Sequence, residues 1–327
     1  MTKTTVLVTG ATGRIGRYVV RDLLNKGFDV RAMTTNGDRA RTVLGEHPNL
    51  ELIEQDWLRE IDFSEALTNA GAVLHLGAEI WRLDRMERLN IEVTQQLALA
   101  AQRAGVNAFV FASSIAVYGS QKSTIATEDS PRLTATADIR NEYRASVNLR
   151  SYGRSKVTAE NVLRETFDGQ TCSIVRPTVV VDNDQIQQAI DDAGLKARLG
   201  QGRLTHFVYV EDVSAAMIWL MEQHLDGALS FETVQCYNVS DPVGERLTHK
   251  SLQSGRLDEN TLSRPSQQGS IEKLTLNLID MAKTKNLSLR KPFGLTRFPS
   301  DKLAKLGFVA PHGLIKVLSD CRSRAGR

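Results

Sequence analysis

The sequence predicts an α/β protein built on a doubly wound parallel sheet, with a smaller C-terminal substrate lobe. Two observations lead to this prediction. β-rich runs alternate with helical runs through roughly the first half of the 327 residues, and a glycine-rich turn joins the first strand to the first helix. After Pro177 the alternation loosens, which indicates a change in organisation there.

The predicted elements follow in chain order. Strands are expected near residues 5–9, 28–33, 50–54, 72–76, 108–113 and 172–176, and helices near 14–26, 62–69, 88–104 and 152–167. The dinucleotide-binding domain is expected to comprise residues 1–180, with about 206–240 returning to it. The substrate-binding lobe is expected to comprise 181–205 and 241–327, including a helix near 271–282.

The glycine-rich turn follows the β-branched strand near residues 5–9 and opens an amphipathic helix. Gly10, Gly13 and Gly16 permit a tight turn and let backbone N–H groups approach a pyrophosphate at the positive end of the helix. This strand–turn–helix pattern is typical of a Rossmann-type fold. A purely structural turn at the start of a helix is the alternative.

Composition and charge exclude several classes of protein. Hydrophobic residues make up 41% of the chain and the formal net charge is +3, so neither disorder nor nucleic-acid binding is expected. Cys172, Cys236 and Cys321 lack metal-ligand spacing and are expected to be reduced thiols, with no metal bound. The first strand begins too early for a signal peptide, and no apolar run approaches the roughly 18 residues of a membrane span. We therefore expect a cytoplasmic protein without a membrane partner.

A second motif carries groups that can move a proton. Tyr152 and Lys156 are four residues apart, so on a helix they share a face, and the ammonium favours the phenolate. Ser113 and Ser114 follow an apolar run expected to be a buried strand, at the sheet edge where ligands bind. The alternatives are a solvated helix face for the first pair and a loop cap for the serines.

Together these runs resemble the extended short-chain dehydrogenase/reductases, in the NAD-dependent epimerase/dehydratase family. The resemblance extends nearly end to end. It also includes Gln55-Asp56, His75-Leu76-Gly77-Ala78, Asn90, Arg176-Pro177, the run at residues 207–213, Tyr237-Asn238-Val239 and the run at residues 305–308.

The resemblance implies roles for individual residues. Ser114 would hydrogen-bond the substrate oxygen, Tyr152 would act as acid and base, and Lys156 would lower the pKa of Tyr152 and hold the nicotinamide ribose. The cofactor would be bound by Gly10, Thr12, Gly13, Arg14, Ile15, Gly16, Asp56, Trp57, Leu76, Gly77, Ala78, Asn90, Pro177 and Thr178.

Four residues also have a purely structural alternative to a functional role: Asp56, Trp57, Asn90 and Tyr118. Asp56 would accept from the adenine amino group, or it is a turn aspartate with Trp57 merely packing beside it. Asn90 would lie near the cofactor or the active-site helix, or it is a helix N-cap. Tyr118 would face the substrate, or it packs in the core.

The choice between NAD and NADP depends on the end of the second strand. No acidic residue follows that strand, where an acid would accept from the ribose hydroxyls of NAD. Four arginines lie close enough in sequence to include a clamp for a 2′-phosphate, which favours NADP: Arg14, Arg31, Arg39 and Arg41. In the alternative, Arg39 and Arg41 are solvated helix charges, and Thr35 or Asn36 serves the ribose.

Departures from the family pattern bear on the substrate. Thr205-His206 stands where nucleotide-sugar members carry an Arg-Asp pair, although Arg203, Arg290 or Lys291 could provide a displaced phosphate grip. Ile115-Ala116 replaces the acidic pair of sugar dehydratases, so dehydratase chemistry is not expected.

An insertion is expected ahead of the catalytic helix, at residues 134–150. Arg140, Arg144 and Arg150 in it could meet an anionic ligand. The alternative is a self-paired, solvated helix with Asp138 and Glu142.

These expectations define an NAD(P)-dependent oxidoreductase or epimerase acting on a secondary alcohol or ketone of a small molecule, including sugar nucleotides. The alternative is a catalytically silent regulatory or assembly protein that binds the cofactor. The helices containing Asn90 and Tyr152 resemble those that pair family members, so a homodimer is expected.

Overall fold

The computed structural model describes residues 4–134, 142–143, 145–169, 171–192, 201–229, 231–254 and 293–325. Its main feature is a seven-stranded parallel sheet with the strand order β3-β2-β1-β4-β5-β6-β9. The strands are β1 (Thr5–Thr9), β2 (Asp29–Thr34), β3 (Leu50–Glu54), β4 (Ala70–His75), β5 (Ala108–Ala112), β6 (Cys172–Pro177) and β9 (Gln235–Val239). Two short strands, β7 (Val179–Val181) and β8 (Phe207–Tyr209), form a separate parallel pair.

Helices connect the strands. They are α1 (Gly16–Asn25), α2 (Gly37–Leu44), α3 (Ser64–Leu67), α4 (Leu83–Met86), α5 (Val93–Arg103), α6 (Val147–Thr166), α7 (Asn183–Asp191), α8 (Val210–Leu225), α9 (His249–Ser254), α10 (Asp301–Lys305) and α11 (Leu314–Ala325). A π-helical stretch, Glu87–Glu92, joins α4 to α5, and a short 3₁₀ turn, Ile115–Tyr118, follows β5.

The sheet is buried on both faces, because helices cover each of them. On one face, α1 and α8 pack against the strands through residues such as Val19 and Met217. On the other face, α5 and α6 do so through residues such as Leu97 and Leu163. This double covering explains the continuous apolar run of β5, every residue of which is buried. The predicted Rossmann-type, doubly wound fold is confirmed.

The largest boundary difference concerns the catalytic helix. Helix α6 begins at Val147 rather than near residue 152, because the Ser146 side chain accepts the Leu149 N–H and caps it. Residues 147–150 therefore belong to this helix and not to an insertion. Arg140 and Arg144, proposed as anion ligands, lie outside the described residues, as does Asp138.

A third apolar cluster lies around the β7–β8 pair. It contains residues of these strands together with Ile186, Leu252 and Leu318 from α7, α9 and α11. The sequence predicts that the polar run after β9 belongs to a substrate lobe, and that division of the chain stays a prediction. The helix predicted near residues 271–282 lies outside the described residues, as do Arg290 and Lys291.

Candidate active site

The glycine-rich turn brings the first strand and first helix into contact. Gly10 has a φ of +65°, and a methyl group on it would lie 2.7 Å from the Gly77 nitrogen. A methyl group on Gly16 would lie 2.2 Å from the Gly10 carbonyl oxygen, whereas one on Gly13 would lie 3.0 Å from it. The first turn of α1 contains no acidic residue, so the positive end of its dipole is open to an anion.

Substituting Gly16 tests this turn. Gly16→Ala should weaken NADH binding by at least about tenfold, because the turn must open to relieve the contact with Gly10. Nicotinamide fluorescence titration measures the affinity. Gly71→Ala is the matched control, since its methyl group would meet only the flexible side chain of Thr4, at the amino end of β4. Equal NADH affinity in Gly16→Ala and wild type would contradict the prediction.

A cavity of about 170 Å³ opens beside the turn. Five predicted cofactor residues line it: Gly10, Thr12, Trp57, Gly77 and Ala78. Five residues outside the predicted set complete the lining: Met33, Thr34, Thr35, Gln55 and Leu89. The cavity thus joins the ends of β1, β2, β3 and β4, the carboxyl edge at which dinucleotides bind in such sheets.

Trp57 and Gly77 explain the shape of the cavity wall. The Trp57 indole is 7% exposed, packs edge-on against Phe63 and donates its N–H to the Gln55 side chain at 3.1 Å. A methyl group on Gly77 would lie 2.9 Å from the indole, so glycine is required for this approach. Asp56, between Gln55 and Trp57, instead accepts the Leu58 N–H within the turn and does not line the cavity.

Other predicted cofactor residues do not line the cavity. Arg14 donates to the Val180 carbonyl at 3.1 Å, Ile15 precedes α1 as its N-cap, and Leu76 donates its N–H to the Thr9 hydroxyl. Pro177 ends β6, and Thr178 donates its N–H to the Val239 carbonyl at 3.0 Å.

The predicted catalytic residues are close together at the end of β5. The Ser114 hydroxyl lies close enough to the Tyr152 phenol to act on its pKa. Ser114 also accepts the Ala116 N–H at 3.1 Å, so it caps the 3₁₀ turn as well. A methyl group on Gly153 would lie 2.6 Å from the Ala116 carbonyl oxygen, so glycine there lets α6 approach this turn.

Lys156 lies one helical turn beyond Tyr152 and is 1% exposed. Its ammonium donates to the Ala112 carbonyl at 2.7 Å and lies 4.3 Å from the centre of the Phe111 ring and 5.9 Å from that of Tyr152. Burial lowers the pKa of Lys156 to about 7, although Glu160 acts in the opposite direction.

The pKa of Tyr152 differs from the sequence-based expectation. Burial raises it to about 12, and the nearby Ser114 hydroxyl offsets only part of that rise. We expected Lys156 to lower this pKa. Burial outweighs any such effect, and Tyr152 is therefore a protonated donor at neutral pH in this arrangement.

Behind the catalytic residues lies a buried charge cluster that sequence reasoning did not identify as a unit. Arg176 makes two hydrogen bonds to the Glu160 carboxylate, at 2.8 and 2.6 Å, and Arg132 and Ser113 bind the same carboxylate at 2.9 and 2.7 Å. Arg176 also donates to the Tyr118 hydroxyl at 2.8 Å. Ser113 is therefore occupied by Glu160, in contrast to Ser114.

Two predictions with structural alternatives are resolved by these contacts. Tyr118 is 1% exposed and donates to the Asn238 side chain at 2.7 Å, so it packs in the core and does not face a substrate. Asn90 lies inside the π-helical stretch and donates to Ser155 of the catalytic helix at 2.9 Å. Asn90 is therefore not an N-cap.

The arginines expected to clamp a 2′-phosphate are dispersed. Arg31 pairs with Glu51 at 2.8 Å, and Arg41 pairs with Asp38 at 3.0 Å. Arg14 reaches towards β7, as described above, and Arg39 is exposed on α2. Three of the four arginines thus bind other groups in the described structure, Arg39 is exposed, and the preference for NADP stays a prediction.

The remaining substrate-side expectations concern individual polar groups. Thr205 and His206 are 2% and 3% exposed, and His206 contacts the Glu245 carboxylate at 3.3 Å. Arg150 donates to the Ala145 carbonyl at 2.7 Å, and Glu142 accepts the Thr134 N–H at 2.8 Å. These contacts are internal to the protein.

The described part of the chain holds neither a candidate metal site nor a candidate membrane span. Within those ranges, no group of three or more His, Cys, Asp or Glu side chains is arranged to hold a metal ion. None of the helices described there combines the length and apolar character needed to cross a membrane. Cys172, Cys236 and Cys321 are buried and form no disulfide.

The glycine turn, the cavity and the Ser-Tyr-Lys constellation define a nicotinamide-dependent protein of the extended short-chain dehydrogenase/reductase type. The sequence profile described as "NAD dependent epimerase/dehydratase family" matches residues 6–233. Because this match covers more than half of the 327 residues, the chain belongs to the NAD-dependent epimerase/dehydratase family.

Curated relatives match the chain at about 30% identity. A 3-beta-hydroxysteroid dehydrogenase from Mycolicibacterium neoaurum is 31% identical over 187 residues, 53% of this chain and 46% of that protein. A UDP-glucose 4-epimerase from Rhizobium leguminosarum bv. trifolii is 30% identical over 166 residues, 49% of this chain and 46% of that protein. The matched regions thus span about half the length of these relatives.

Solved structures share the fold. MoeE5 in complex with UDP-glucose and NAD has a TM-score of 0.64 and 21% identity, with 99% of this chain and 100% of that chain covered. A short-chain dehydrogenase/reductase superfamily protein from Agrobacterium tumefaciens with bound NAD has a TM-score of 0.66 and 20% identity, with 99% and 98% covered. At these identities the similarity concerns the fold.

Proposed function

We propose that this protein is an NAD-dependent oxidoreductase or epimerase that interconverts a secondary alcohol and a ketone. The observation that carries the proposal is the contact between Ser114 and Tyr152, with Lys156 on the next turn of the same helix. These groups lie at the carboxyl edge of the sheet that also forms the cofactor cavity. Both curated relatives reported above bear names of enzymes that act at a secondary alcohol.

The cavity suits one end of a dinucleotide, a flat ring and the neighbouring pyrophosphate. Its glycine turn offers backbone N–H groups and an open helix N-terminus to the pyrophosphate, and the apolar wall formed by Trp57 and Met33 suits a flat ring. A nicotinamide cofactor, when bound, supplies or accepts the hydride.

The residues of the chain handle the proton. Ser114 and Tyr152 would together hydrogen-bond the substrate oxygen, and Tyr152 would donate its phenolic proton to that oxygen during ketone reduction. In the reverse direction the phenolate would accept the proton of the alcohol. Lys156, held by the Ala112 carbonyl, would stabilise the phenolate as it forms. The raised pKa of Tyr152 keeps the phenol protonated at neutral pH, which is the form that ketone reduction requires.

The surroundings of α2 favour NAD over NADP, contrary to the preference we inferred from sequence. A methyl group on Gly37 would lie 2.5 Å from a Glu54 carboxylate oxygen, so this carboxylate rests against the start of α2. Asp38 lies in the first turn of the same helix. The Glu54 carboxylate beside the strand end at Thr34 would repel a 2′-phosphate but not a hydroxyl, whereas the charge of Asp38 is paired with Arg41.

Cofactor titration tests this preference. We expect NADH to bind at least about tenfold more tightly than NADPH, and Glu54→Gln to reduce the ratio by weakening the repulsion. Glu51→Gln is the matched control on the same strand, because Glu51 pairs with Arg31 away from the strand end. Tighter binding of NADPH by the wild type would contradict the assignment.

A substrate panel tests the reaction itself. Purified protein would be incubated with NADH or NAD and with UDP-glucose or a 3β-hydroxysteroid, following absorbance at 340 nm and the products. Net change in NADH would identify an oxidoreductase, whereas an epimerised sugar without net change would identify an epimerase. NADH binding without turnover of a broad alcohol and ketone panel would contradict the catalytic proposal and favour a regulatory protein.

Assembly and location complete the proposal. We propose a homodimer formed through the helices that contain Asn90 and Tyr152, and a cytoplasmic location. The resemblance to paired family members supports the first of these. Sedimentation equilibrium measures the oligomeric state, and a monomer at micromolar concentration would contradict it.

A further inference from the structure

Buried hydrogen bonds link the cofactor turn to a histidine that the proposed chemistry does not use. The Thr9 hydroxyl accepts the backbone N–H groups of Leu76 and Gly77, each at 3.2 Å. The same hydroxyl lies 2.6 Å from Nδ1 of His75, which is fully buried. On its other side, Nε2 of His75 lies 2.9 Å from the Thr94 hydroxyl.

The direction of these bonds follows from the Thr94 hydroxyl. Thr94 donates its only hydroxyl proton to the Asn90 carbonyl at 2.8 Å, so it must accept from Nε2–H of His75. Nδ1 is then the acceptor for Thr9, and Thr9 keeps its lone pairs for the two N–H groups of the turn. A single neutral tautomer of His75 therefore satisfies every bond.

The neutral state is favoured by the surroundings. Burial lowers the pKa of His75 to about 3, and the charge of Lys156 acts in the same direction. The imidazole stacks on Phe111 at 5.4 Å between ring centres, and the Lys156 ammonium lies 4.3 Å from the centre of the same Phe111 ring. Charged or displaced forms of His75 are thus disfavoured.

The bonds continue from Asn90 to the catalytic helix. The Asn90 side chain donates to Ser155 at 2.9 Å, and Ser155 donates to the Tyr152 carbonyl at 2.8 Å. The Asn90 side chain also binds the backbone of Glu79. Its amide oxygen accepts the Glu79 N–H at 2.7 Å, and its amide nitrogen donates to the Glu79 carbonyl at 2.8 Å. The turn after β4 and the backbone of Tyr152 are therefore joined through one set of buried side chains.

We propose that His75 is a positioning residue that fixes the cofactor turn relative to the helix carrying Tyr152. This inference rests on the proposed function, because it assigns the turn to the cofactor and Tyr152 to proton transfer. His75 itself contacts neither reacting group. Its two ring nitrogens join Thr9, which binds the start of the turn, to Thr94, which binds the Asn90 backbone. The Asn90 side chain separately binds the end of the same turn at Glu79.

Two amide substitutions distinguish the two hydrogen bonds of the His75 ring. The amide of His75→Asn can reach the position of Nδ1, so this variant keeps a partner for Thr9 and loses the bond to Thr94. The amide of His75→Gln can reach the position of Nε2, so it keeps a donor for Thr94 and loses the bond to Thr9. His224→Gln is the control, because His224 is a buried histidine that bonds Ser173 at 2.8 Å, between α8 and β6.

The experiment measures NADH affinity by nicotinamide fluorescence and amide hydrogen exchange along α6, together with the melting temperature of each variant. We expect His75→Gln to weaken NADH binding at least about tenfold and His75→Asn to leave it within about twofold of wild type. We expect the reverse order for exchange in residues 147–156, which should be faster in His75→Asn. A purely structural role would lower the melting temperature without this crossed pattern.

Thr94 variants and nitrogen NMR of His75 provide two further tests, which apply even if the His75 variants do not fold. Thr94→Val should accelerate exchange in α6, and Thr94→Ser should restore protection. Nitrogen NMR of His75 should show the Nε2–H tautomer without titration between pH 5 and 9. The inference would be overturned if the folded His75 variants changed NADH affinity and helix exchange in the same order. It would also be overturned if Thr94→Val left exchange in α6 unchanged, or if the His75 ring titrated between pH 5 and 9. A wild type that does not bind NADH would instead contradict the proposed function.

Discussion

Tyr152→Phe should lower turnover by at least about 10²-fold while leaving NADH affinity unchanged, because the substitution removes the proton donor and little volume. The phenol is the only group of Tyr152 that the proposed reaction uses, and it meets Ser114 at the site. Steady-state turnover of the substrate identified in the panel, with fluorescence titration of NADH, measures both quantities.

Tyr237→Phe is the matched control for this prediction. Tyr237 is fully buried in β9, and its hydroxyl has no hydrogen-bond partner among the described residues. Removing that hydroxyl should therefore leave turnover near the wild-type value. Wild-type turnover in Tyr152→Phe would exclude Tyr152 as the acid and base, whatever happens in the control.

Glu160→Ala should reduce the free energy of unfolding by about 3–5 kcal/mol, because it leaves a buried guanidinium without its counter-charge. Arg176 is 1% exposed and makes two of its hydrogen bonds to this carboxylate. Urea denaturation at neutral pH measures the change. Glu222→Ala, which breaks a half-exposed ion pair with Lys26, should cost less than about 1 kcal/mol.

The same carboxylate should contribute to the pH dependence of stability. Burial acts to raise the pKa of Glu160, but the charge and hydrogen bonds of Arg176 outweigh it, and the net pKa is lowered. A carboxyl group with a lower pKa in the folded state stabilises the fold above its unfolded pKa, and this contribution is lost as the pH falls towards the folded value. Glu160→Ala should therefore lose less stability on acidification than wild type. An equal acid dependence in both proteins would contradict this prediction.

The fold could be predicted from sequence because its signals are local. The apolar run of β5 and the glycine turn before α1 are contiguous in the chain, and each was located within a few residues. The candidate catalytic residues could also be predicted. The spacing of four residues indicated Tyr152 and Lys156, and the position after a predicted strand indicated Ser114. Their proximity in the structure agrees with that prediction, whereas their roles remain proposals.

Other features depended on contacts between distant segments. Glu54 lies at the end of β3, and its proposed effect on cofactor choice depends on the pairing of β2 with β3, which brings it against α2. His75 and Thr94 are joined across the interior, and no spacing in the sequence indicates the hydrogen bond between them. The pKa of Tyr152 likewise depends on burial, which the Tyr-Lys spacing does not report.

The two outer strands of the sheet have a consequence for self-association. Edge strand β3 carries Glu51 and Glu54 on its exposed positions, and like charges on a neighbouring copy would repel them. At the opposite edge, α10 covers β9, and Lys302 donates to Gln235 at 2.8 Å. Both margins are thus protected against strand addition by another chain, so copies of this protein should associate through their helices and not by extending the sheet.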